Sequence, residues 1–199
     1  MLIYIHGFNS SPNSYKASLL RDYANSINMP DILEIPELAH EPDHAMQQLQ
    51  QLIKKYHSPQ AMRPLCFIGS SLGGYYATWL AEKYDSRVVL INPAVKPYEL
   101  FEDYLGPNRN LYTGEEYELT MDHINQLKAL EVEQISNPDR YLLMIQTGDE
   151  VLDYKMAMNK YAAVPSIVEE GGGHEFAGFD RHLETVLAFC GVNCLKTYT

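Results

Sequence analysis

The sequence predicts a three-layer α/β fold, in which helices cover both faces of a mainly parallel sheet of about six strands. Two observations predict it. Short apolar runs of strand character alternate with amphipathic segments of helix length along the whole chain. In addition, 199 residues with 46% hydrophobic content suit one globular domain with a sizeable core. We therefore expect residues 1–199 to form a single domain, with right-handed helical crossovers between its strands.

The predicted strands are short runs rich in β-branched and aromatic residues, bounded by turn residues. They are Leu2 to Ile5, Asp31 to Ile35, Pro64 to Ile68, Arg87 to Ile91, Tyr141 to Gln146 and Ser166 to Glu169. The predicted helices have apolar residues at intervals of three and four. They are Ser14 to Ile27, Asp43 to Tyr56, Leu72 to Tyr84, Met121 to Gln134, Asp153 to Ala162 and Asp180 to Phe189.

A long segment from about Ala94 to Pro138 interrupts this alternation. It is rich in Tyr, Glu and Asn, and it contains no clear strand and one convincing helix, capped by Thr120. Because the segment is too long for an ordinary connection, we expect a small helical insertion that forms a cap or lid over the domain.

Composition limits the partners and the compartment. Fifteen basic and 26 acidic residues give a formal charge of −11, which opposes binding to nucleic acid and to anionic membranes. No apolar run is long enough to span a membrane, and the first residues have strand character without the basic region of a signal peptide. The odd set Cys66, Cys190 and Cys194 favours a reducing cytoplasm over a disulfide framework.

A Gly-x-Ser-x-Gly motif stands between a predicted strand and a predicted helix. Its members are Gly69, Ser71 and Gly73, and only Ser71 falls at the central position. This order of strand, tight turn and helix is typical of a nucleophile elbow, which exposes the serine hydroxyl at the end of the sheet. The Leu72 N–H would then lie at a helix N-terminus, where it can stabilise an oxyanion. Alone, the motif is equally compatible with a simple glycine-rich turn.

A nucleophilic serine needs a base, and the base needs a carboxylate that orients it. Among seven histidines, His174 is the best base, because three glycines precede it in a loop after the last predicted strand. Asp149, directly after the fifth strand, is the favoured acid. Asp153 and Glu150 remain alternatives, although Asp153 also suits a helix N-cap and Glu150 a solvated position. The chain order Ser, acid, His is that of the α/β-hydrolase fold.

The loop after the first strand predicts the second oxyanion donor. His6, Gly7 and Phe8 follow that strand, and in this fold the corresponding loop supplies a backbone amide. We therefore expect the N–H groups of Phe8 and Leu72 to form an oxyanion hole. His6 itself is more readily explained as a structural residue than as a second base.

One motif suggests a metal site instead of a serine hydrolase. The residues from His40 to His44 match the His-Glu-x-x-His pattern of zinc proteases, which requires both histidines on one helix. Pro42 belongs at a helix start, so we expect His40 to lie outside the helix that carries His44. The sequence therefore predicts no metal and no other cofactor.

The chain resembles the YqiA-like bacterial esterases, small members of the α/β-hydrolase superfamily. The resemblance covers nearly the whole chain and rests on four motifs and a short match at Tyr112 to Gly114. The motifs are Tyr4 to Pro12, Gly69 to Leu80, Asn92 to Val95 and Gln146 to Tyr154. It implies a cytoplasmic serine esterase that acts on acyl esters and acyl-CoA thioesters, with Ser71, Asp149 and His174 on the triad motifs. The segment from Gly171 to Phe176 departs from the family's Gly-Gly-Asn-His-Ala-Phe form at Gly173 and Glu175, which leaves the histidine in place but could alter the loop around it.

Other functions stay open at this stage. A peptidase or an acyltransferase could use the same residues, since one fold supports many chemistries. A non-catalytic binding protein could present a tyrosine-rich face from the insertion. Lys96 and Arg109 could meet an anionic substrate, although solvated surface charge explains them more simply. Acyl chain length and oligomeric state cannot be read from the sequence.

Overall fold

The computed structural model describes residues 1–58, 61–62, 64–110 and 112–192. The strands in these ranges are β1 (Leu2–Ile5), β2 (Leu33–Glu34), β3 (His57–Ser58), β4 (Ala61–Met62), β5 (Cys66–Ser70), β6 (Arg87–Ile91), β7 (Gly106–Arg109), β8 (Glu116–Leu119), β9 (Tyr141–Gln146) and β10 (Ser166–Glu169). The α-helices are α1 (Tyr15–Ser26), α2 (Pro42–Tyr56), α3 (Leu72–Tyr84), α4 (Pro97–Phe101), α5 (Met121–Ala129), α6 (Tyr154–Lys160) and α7 (Leu183–Phe189). Short 3₁₀ helices lie at Pro30–Ile32, Glu102–Tyr104, Pro138–Arg140 and Phe179–His182.

The main sheet confirms the predicted fold class. Its six strands are all parallel and lie in the order β10-β9-β6-β5-β1-β2. One buried cluster joins the sheet to α2, α3, α5 and α6, and a second cluster joins its other face to α1 and α7. The strand order reverses at β1, which pairs with β2 on one side and β5 on the other. In open parallel sheets, ligands bind at the carboxyl ends of the strands beside such a reversal.

Several predicted boundaries agree with the structure, and others do not. Strands β1, β6, β9 and β10 and helix α3 have the predicted ends. Strand β2 has two residues instead of five, because a 3₁₀ helix occupies the preceding positions. Helix α5 ends at Ala129 rather than Gln134, since Leu130 is the last buried residue of its apolar stripe before exposed Glu131. The last helix begins with a 3₁₀ turn, so α7 starts only at Leu183.

The expectation of no strand between Ala94 and Pro138 is wrong. Strands β7 and β8 form an antiparallel hairpin in this segment. Strand β7 has no apolar side chain except that of Pro107, and the alternation in β8 is limited to half-buried Tyr117 and buried Leu119, so the sequence marks these strands only weakly. Hydrogen bonds to the Asn110 side chain shape the turn, because Oδ1 accepts from Tyr112 N–H at 2.9 Å and from Thr113 N–H at 3.1 Å. A second short hairpin, β3 with β4, was also unforeseen.

The structure adds two findings on composition. No helix in the described part of the chain is long and apolar enough to cross a membrane. Cys66 and Cys190 are free thiols in contact with each other in the core, and burial raises the pKa of Cys66. Cys194 lies outside the described residues.

Candidate active site

The turn after β5 holds Ser71 in a rare backbone conformation. Its φ is 56° and its ψ is −125°, values that cost free energy in a residue with a side chain. Two glycines make this turn possible. A Cβ on Gly73 would lie 2.0 Å from the carbonyl oxygen of Ile5, and one on Gly69 would lie 2.4 Å from the carbonyl oxygen of Gly73. The sharp turn from β5 into α3 therefore depends on both glycines, and it places Ser71 at the carboxyl edge of the sheet.

A line of hydrogen bonds connects Ser71, His174 and Asp149. His174 Nε2 lies 3.0 Å from Ser71 Oγ, and His174 Nδ1 lies 2.9 Å and 3.0 Å from the carboxylate oxygens of Asp149. The structure thus brings together three residues that are distant in the sequence. Such a line can move a proton from the serine hydroxyl to the imidazole and stabilise the charged ring that results.

Backbone amides fix the orientation of the Asp149 carboxylate. Its Oδ1 accepts hydrogen bonds from the N–H groups of Val151 and Leu152, each at 2.9 Å, and the side chain is 2% exposed. Burial raises the pKa of Asp149, but the hydrogen bonds from His174 and from Leu152 N–H outweigh burial and lower it overall. Asp149 is therefore ionised at neutral pH and ready to orient the imidazole.

The two alternative acids have other partners. Asp153 caps helix α6, where its Oδ1 accepts from the N–H of Lys155 at 3.0 Å. Glu150 Oε2 accepts from the backbone N–H of His174 at 3.0 Å, so it holds the main chain of the loop and not the ring. Of the three acids, Asp149 alone contacts the His174 ring.

The two predicted oxyanion donors are free. In the described ranges, neither Phe8 N–H nor Leu72 N–H donates to a protein acceptor. Gly7 lies against Ser71, since a Cβ on Gly7 would be 3.0 Å from the Ser71 Cβ. Amides without partners beside the serine can bind a developing oxyanion.

His6 is buried beside these residues, with 5% of its surface exposed. Its Nδ1 lies 3.1 Å from the Gly7 carbonyl oxygen, and burial lowers its pKa. Among the described residues, His6 forms no hydrogen bond with Ser71. Its position in the loop after β1 agrees with the structural explanation offered for it above.

Two residues that hold the His174 loop were missed in the sequence. Buried Asn92 donates from Nδ2 to the carbonyl oxygens of Gly173 and His174, at 3.0 Å and 3.2 Å. Gln146 Oε1 accepts from Gly173 N–H at 3.0 Å and from Ala177 N–H at 2.8 Å. Both side chains stand at the carboxyl end of an apolar strand. A polar residue at that position is a signal that could have identified them.

Two pockets meet at Ser71. The apolar pocket has a volume of about 80 Å³ and is lined by Phe8, Ser71, Leu72, Ala94, Pro97, Leu100, Phe101, Tyr104, Val151 and Leu152. The polar pocket has a volume of about 170 Å³ and is lined by Tyr4, Gly7, Phe8, Asn9, Ser10, Ser14, Tyr15, Lys16, Ser70, Ser71, Tyr112, His174 and Glu175. A substrate with two unlike ends could therefore reach the serine from both sides.

The zinc-protease pattern is broken as the sequence indicates. Helix α2 begins at Pro42, so His40 lies before the helix and His44 within it. His40 instead lies near His123, and the possible ligand atoms of His40, Glu41 and His123 are all within 4.8 Å of one another. However, the Thr120 N–H donates to Nδ1 of His123 at 3.2 Å. The Thr120 hydroxyl also lies 2.9 Å from this nitrogen, so Nδ1 of His123 belongs to the cap of helix α5 and is not free to bind a metal.

Comparisons with known proteins agree with this architecture. Residues 1–191 match the uncharacterised protein family UPF0227. The UPF0227 protein YcfP of Escherichia coli O9:H4 (strain HS) is 28% identical over 192 residues, which cover 95% of this chain and 98% of that protein.

Solved structures give the fold. A crystal structure of a putative hydrolase from Agrobacterium vitis S4 is 18% identical, with a TM-score of 0.70 over 95% of this chain and 87% of that one. The monoacylglycerol lipase of Paleococcus ferrophilus is 14% identical, with a TM-score of 0.66 over 96% of this chain and 93% of that one. At these identities the likeness concerns the fold alone, which is that of the α/β hydrolases.

Proposed function

This chain belongs to the UPF0227 family and has an α/β-hydrolase fold, and on that premise we propose that it is a serine esterase acting through an acyl-serine intermediate. One observation carries the proposal. Asp149, His174 and Ser71 form a continuous line of hydrogen bonds beside two backbone amides that have no protein acceptor. The resemblance to YqiA-like esterases extends the proposal to acyl-CoA thioesters and to a cytoplasmic location.

Each residue has a distinct role in the proposed reaction. His174 takes the proton of Ser71 as Oγ attacks the ester carbonyl carbon, and Asp149 stabilises the imidazolium. The N–H groups of Phe8 and Leu72 bind the oxyanion of the tetrahedral intermediate. His174 then protonates the leaving alcohol, and the acyl-serine remains. A water molecule deprotonated by His174 attacks the acyl-serine and releases the carboxylic acid, which restores the Ser71 hydroxyl.

The insertion supports the oxyanion loop, and we propose it as the cap. Rings of Phe101, Tyr104 and Tyr117 lie with their centroids 4.6 Å, 6.1 Å and 6.5 Å from that of Phe8. The Tyr117 hydroxyl donates to the Asn9 side chain at 2.7 Å. Because Phe101 and Tyr104 also line the apolar pocket, this segment would cover the acyl chain and set the length that fits.

The test is covalent labelling with a fluorophosphonate, followed by peptide mass spectrometry. We expect one label per chain, on Ser71, and none in Ser71→Ala. His174→Ala should slow labelling by on the order of a thousand-fold, because the serine loses its base. The matched control is His182→Ala, since His182 also pairs with a carboxylate, Glu169 at 2.9 Å, but does not contact Ser71.

The label's location and the substrate panel decide the proposal. Labelling of a different residue, or equal labelling rates in His174→Ala and His182→Ala, would contradict it. Esters, thioesters, peptides and acyl acceptors then separate the esterase from a peptidase or an acyltransferase on the same residues. A folded wild-type protein that no fluorophosphonate labels would favour a non-catalytic binding protein.

A further inference from the structure

The polar pocket contains a lysine that the proposed reaction does not use. Lys16 lies in the first turn of α1, four residues before Leu20 and eight before Ala24, so the three share one helix face, and all three are buried. Only 8% of the surface of Lys16 is exposed. A lysine on the core face of a helix is unusual, because an ammonium loses its hydration there.

The ammonium of Lys16 is only partly satisfied. Its Nζ donates to the Glu175 carbonyl oxygen at 2.7 Å, and it has no ion pair with any carboxylate of the described residues. Since an ammonium has three N–H donors, two are left for a ligand. Burial lowers the pKa of Lys16 to about 8, against the opposing charges of Glu175 and Asp149. The group therefore still carries its proton at neutral pH.

The surroundings of Lys16 suit a small anion. Ser10, Ser14 and Tyr112 also line the pocket, and their side chains carry hydroxyl groups, which can donate to anionic oxygens. The pocket volume of about 170 Å³ fits a fragment of a few heavy atoms. Polar and apolar surface contribute about equally to this pocket, whereas the apolar pocket is mainly apolar and suits an alkyl chain better.

The position of His174 assigns the two pockets to the two halves of an ester. His174 lines the polar pocket but not the apolar pocket. The alcohol oxygen must receive its proton from His174 Nε2 as the C–O bond breaks. The alcohol half of the ester therefore occupies the polar pocket, and the acyl half occupies the apolar pocket.

We propose that Lys16 forms an anion subsite for the leaving group, so that the preferred substrate is an ester whose alcohol carries a carboxylate or phosphate a few bonds from the ester oxygen. This inference rests on the proposed esterase function and specifies its substrate class. In the reaction, the bond from Ser71 Oγ to the carbonyl carbon forms and the bond to the alcohol oxygen breaks. The Ser71 proton passes through His174 to that oxygen, and the anionic group keeps its charge throughout.

The experiment compares three esters that share the butyryl half and differ in the alcohol: those of glycolate, of 2-hydroxyethyl phosphate and of uncharged ethylene glycol. We expect wild-type kcat/KM to be about 10- to 100-fold higher for an anionic ester, the factor expected from a charge-assisted hydrogen bond. The two anionic arms distinguish a carboxylate from a phosphate ligand. Lys16→Met should abolish the preference for anionic esters, and Lys16→Arg, which keeps the positive charge, should retain part of it.

The control is Lys96→Met, which removes an exposed cation that pairs with Glu99 and lines neither pocket. This variant should keep the wild-type preference. If Lys16 were merely structural, Lys16→Met would lower the rates for all three esters equally and leave their ratio unchanged. That result would overturn the subsite.

A second measurement needs no variant. Free 2-hydroxyethyl phosphate or glycolate should inhibit hydrolysis of the uncharged ester competitively, and ethylene glycol at the same concentration should not. Fast hydrolysis of the uncharged ester with no anionic preference and no such inhibition overturns the subsite but leaves the esterase standing. Absence of both ester hydrolysis and Ser71 labelling in folded protein overturns both.

Discussion

Replacing Asp149 with asparagine tests the proposed mechanism most directly. The N–H groups of Val151 and Leu152 donate to Oδ1, so the new amide must keep its oxygen there. A flipped amide would place an NH₂ group against both donors and lose two hydrogen bonds. The NH₂ group therefore replaces Oδ2, which lies 2.9 Å from His174 Nδ1.

This substitution reverses the tautomer of the histidine. Because the NH₂ group donates at the shorter of the two contacts, 2.9 Å against 3.0 Å for Oδ1, it favours the tautomer in which Nδ1 accepts and Nε2, 3.0 Å from Ser71 Oγ, carries the proton. A protonated Nε2 cannot take the serine proton. We expect kcat to fall by about 10⁴, or about 5 kcal/mol of transition-state free energy, with little change in structure.

The assay is hydrolysis of p-nitrophenyl butyrate, with folding followed by circular dichroism and thermal unfolding. Asp153→Asn is the matched control, because asparagine caps a helix about as well as aspartate and Asp153 does not contact the imidazole. It should keep nearly full activity. A folded Asp149→Asn protein with more than about a tenth of wild-type kcat, where the tautomer argument requires a loss near 10⁴, would refute the reasoning.

Three further predictions follow from the same structure. Replacing Lys16 with methionine should remove a pH dependence of stability. Folding lowers the pKa of Lys16 from 10.5 to about 8, so between these pH values the unfolded wild-type chain binds more protons than the folded one. Over this range the free energy of unfolding of the wild type, measured by urea denaturation, should therefore rise by about 3 kcal/mol relative to that of the variant. Asn92→Ala removes the hydrogen bonds to the His174 loop and leaves Gln146 N–H unpaired. Steady-state kinetics should show that kcat falls more than KM rises, and thermal unfolding should show a loss of about 2 kcal/mol in stability. Gly73→Ala should prevent stable folding or lower the stability by more than about 3 kcal/mol, since its Cβ would overlap the Ile5 carbonyl oxygen 2.0 Å away, and soluble yield and Tm would report it.

Each of these predictions has a clear contrary outcome. A constant difference in stability between wild type and Lys16→Met from pH 8 to 10.5 would mean that burial does not depress the lysine pKa. Equal kcat in Asn92→Ala and wild type would show that the His174 loop does not need this anchor. A Gly73→Ala protein with unchanged Tm would show that α3 can move away from β1 without cost.

The fold was predictable because its signals are local. Apolar runs of strand length and the helix from Leu72 to Tyr84 have the predicted ends, since burial on both faces of the sheet requires the patterns that mark them. The β7–β8 hairpin was not predictable. Its apolar side consists of only Tyr117 and Leu119, too few residues to mark a strand, and backbone pairing and the Asn110 side chain complete it. The predicted end of α5 was too far along the chain, because burial and not helix propensity decides where that helix stops.

The sequence by itself determined the six strands of the main sheet and the helices between them, the turn at Ser71 and the proposed roles of Ser71, Asp149 and His174. These follow from periodicity, from glycines where the chain must approach itself closely, and from the chemistry that a serine nucleophile requires. Only the tertiary structure decided which atoms meet. It distinguished Asp149 from Asp153 as the partner of the His174 ring, and it brought Lys16, from a helix much earlier in the chain, into the pocket that Ser71 also lines. Distances between remote side chains depend on how strands are ordered in the sheet, and that order is a property of packing that no local pattern encodes.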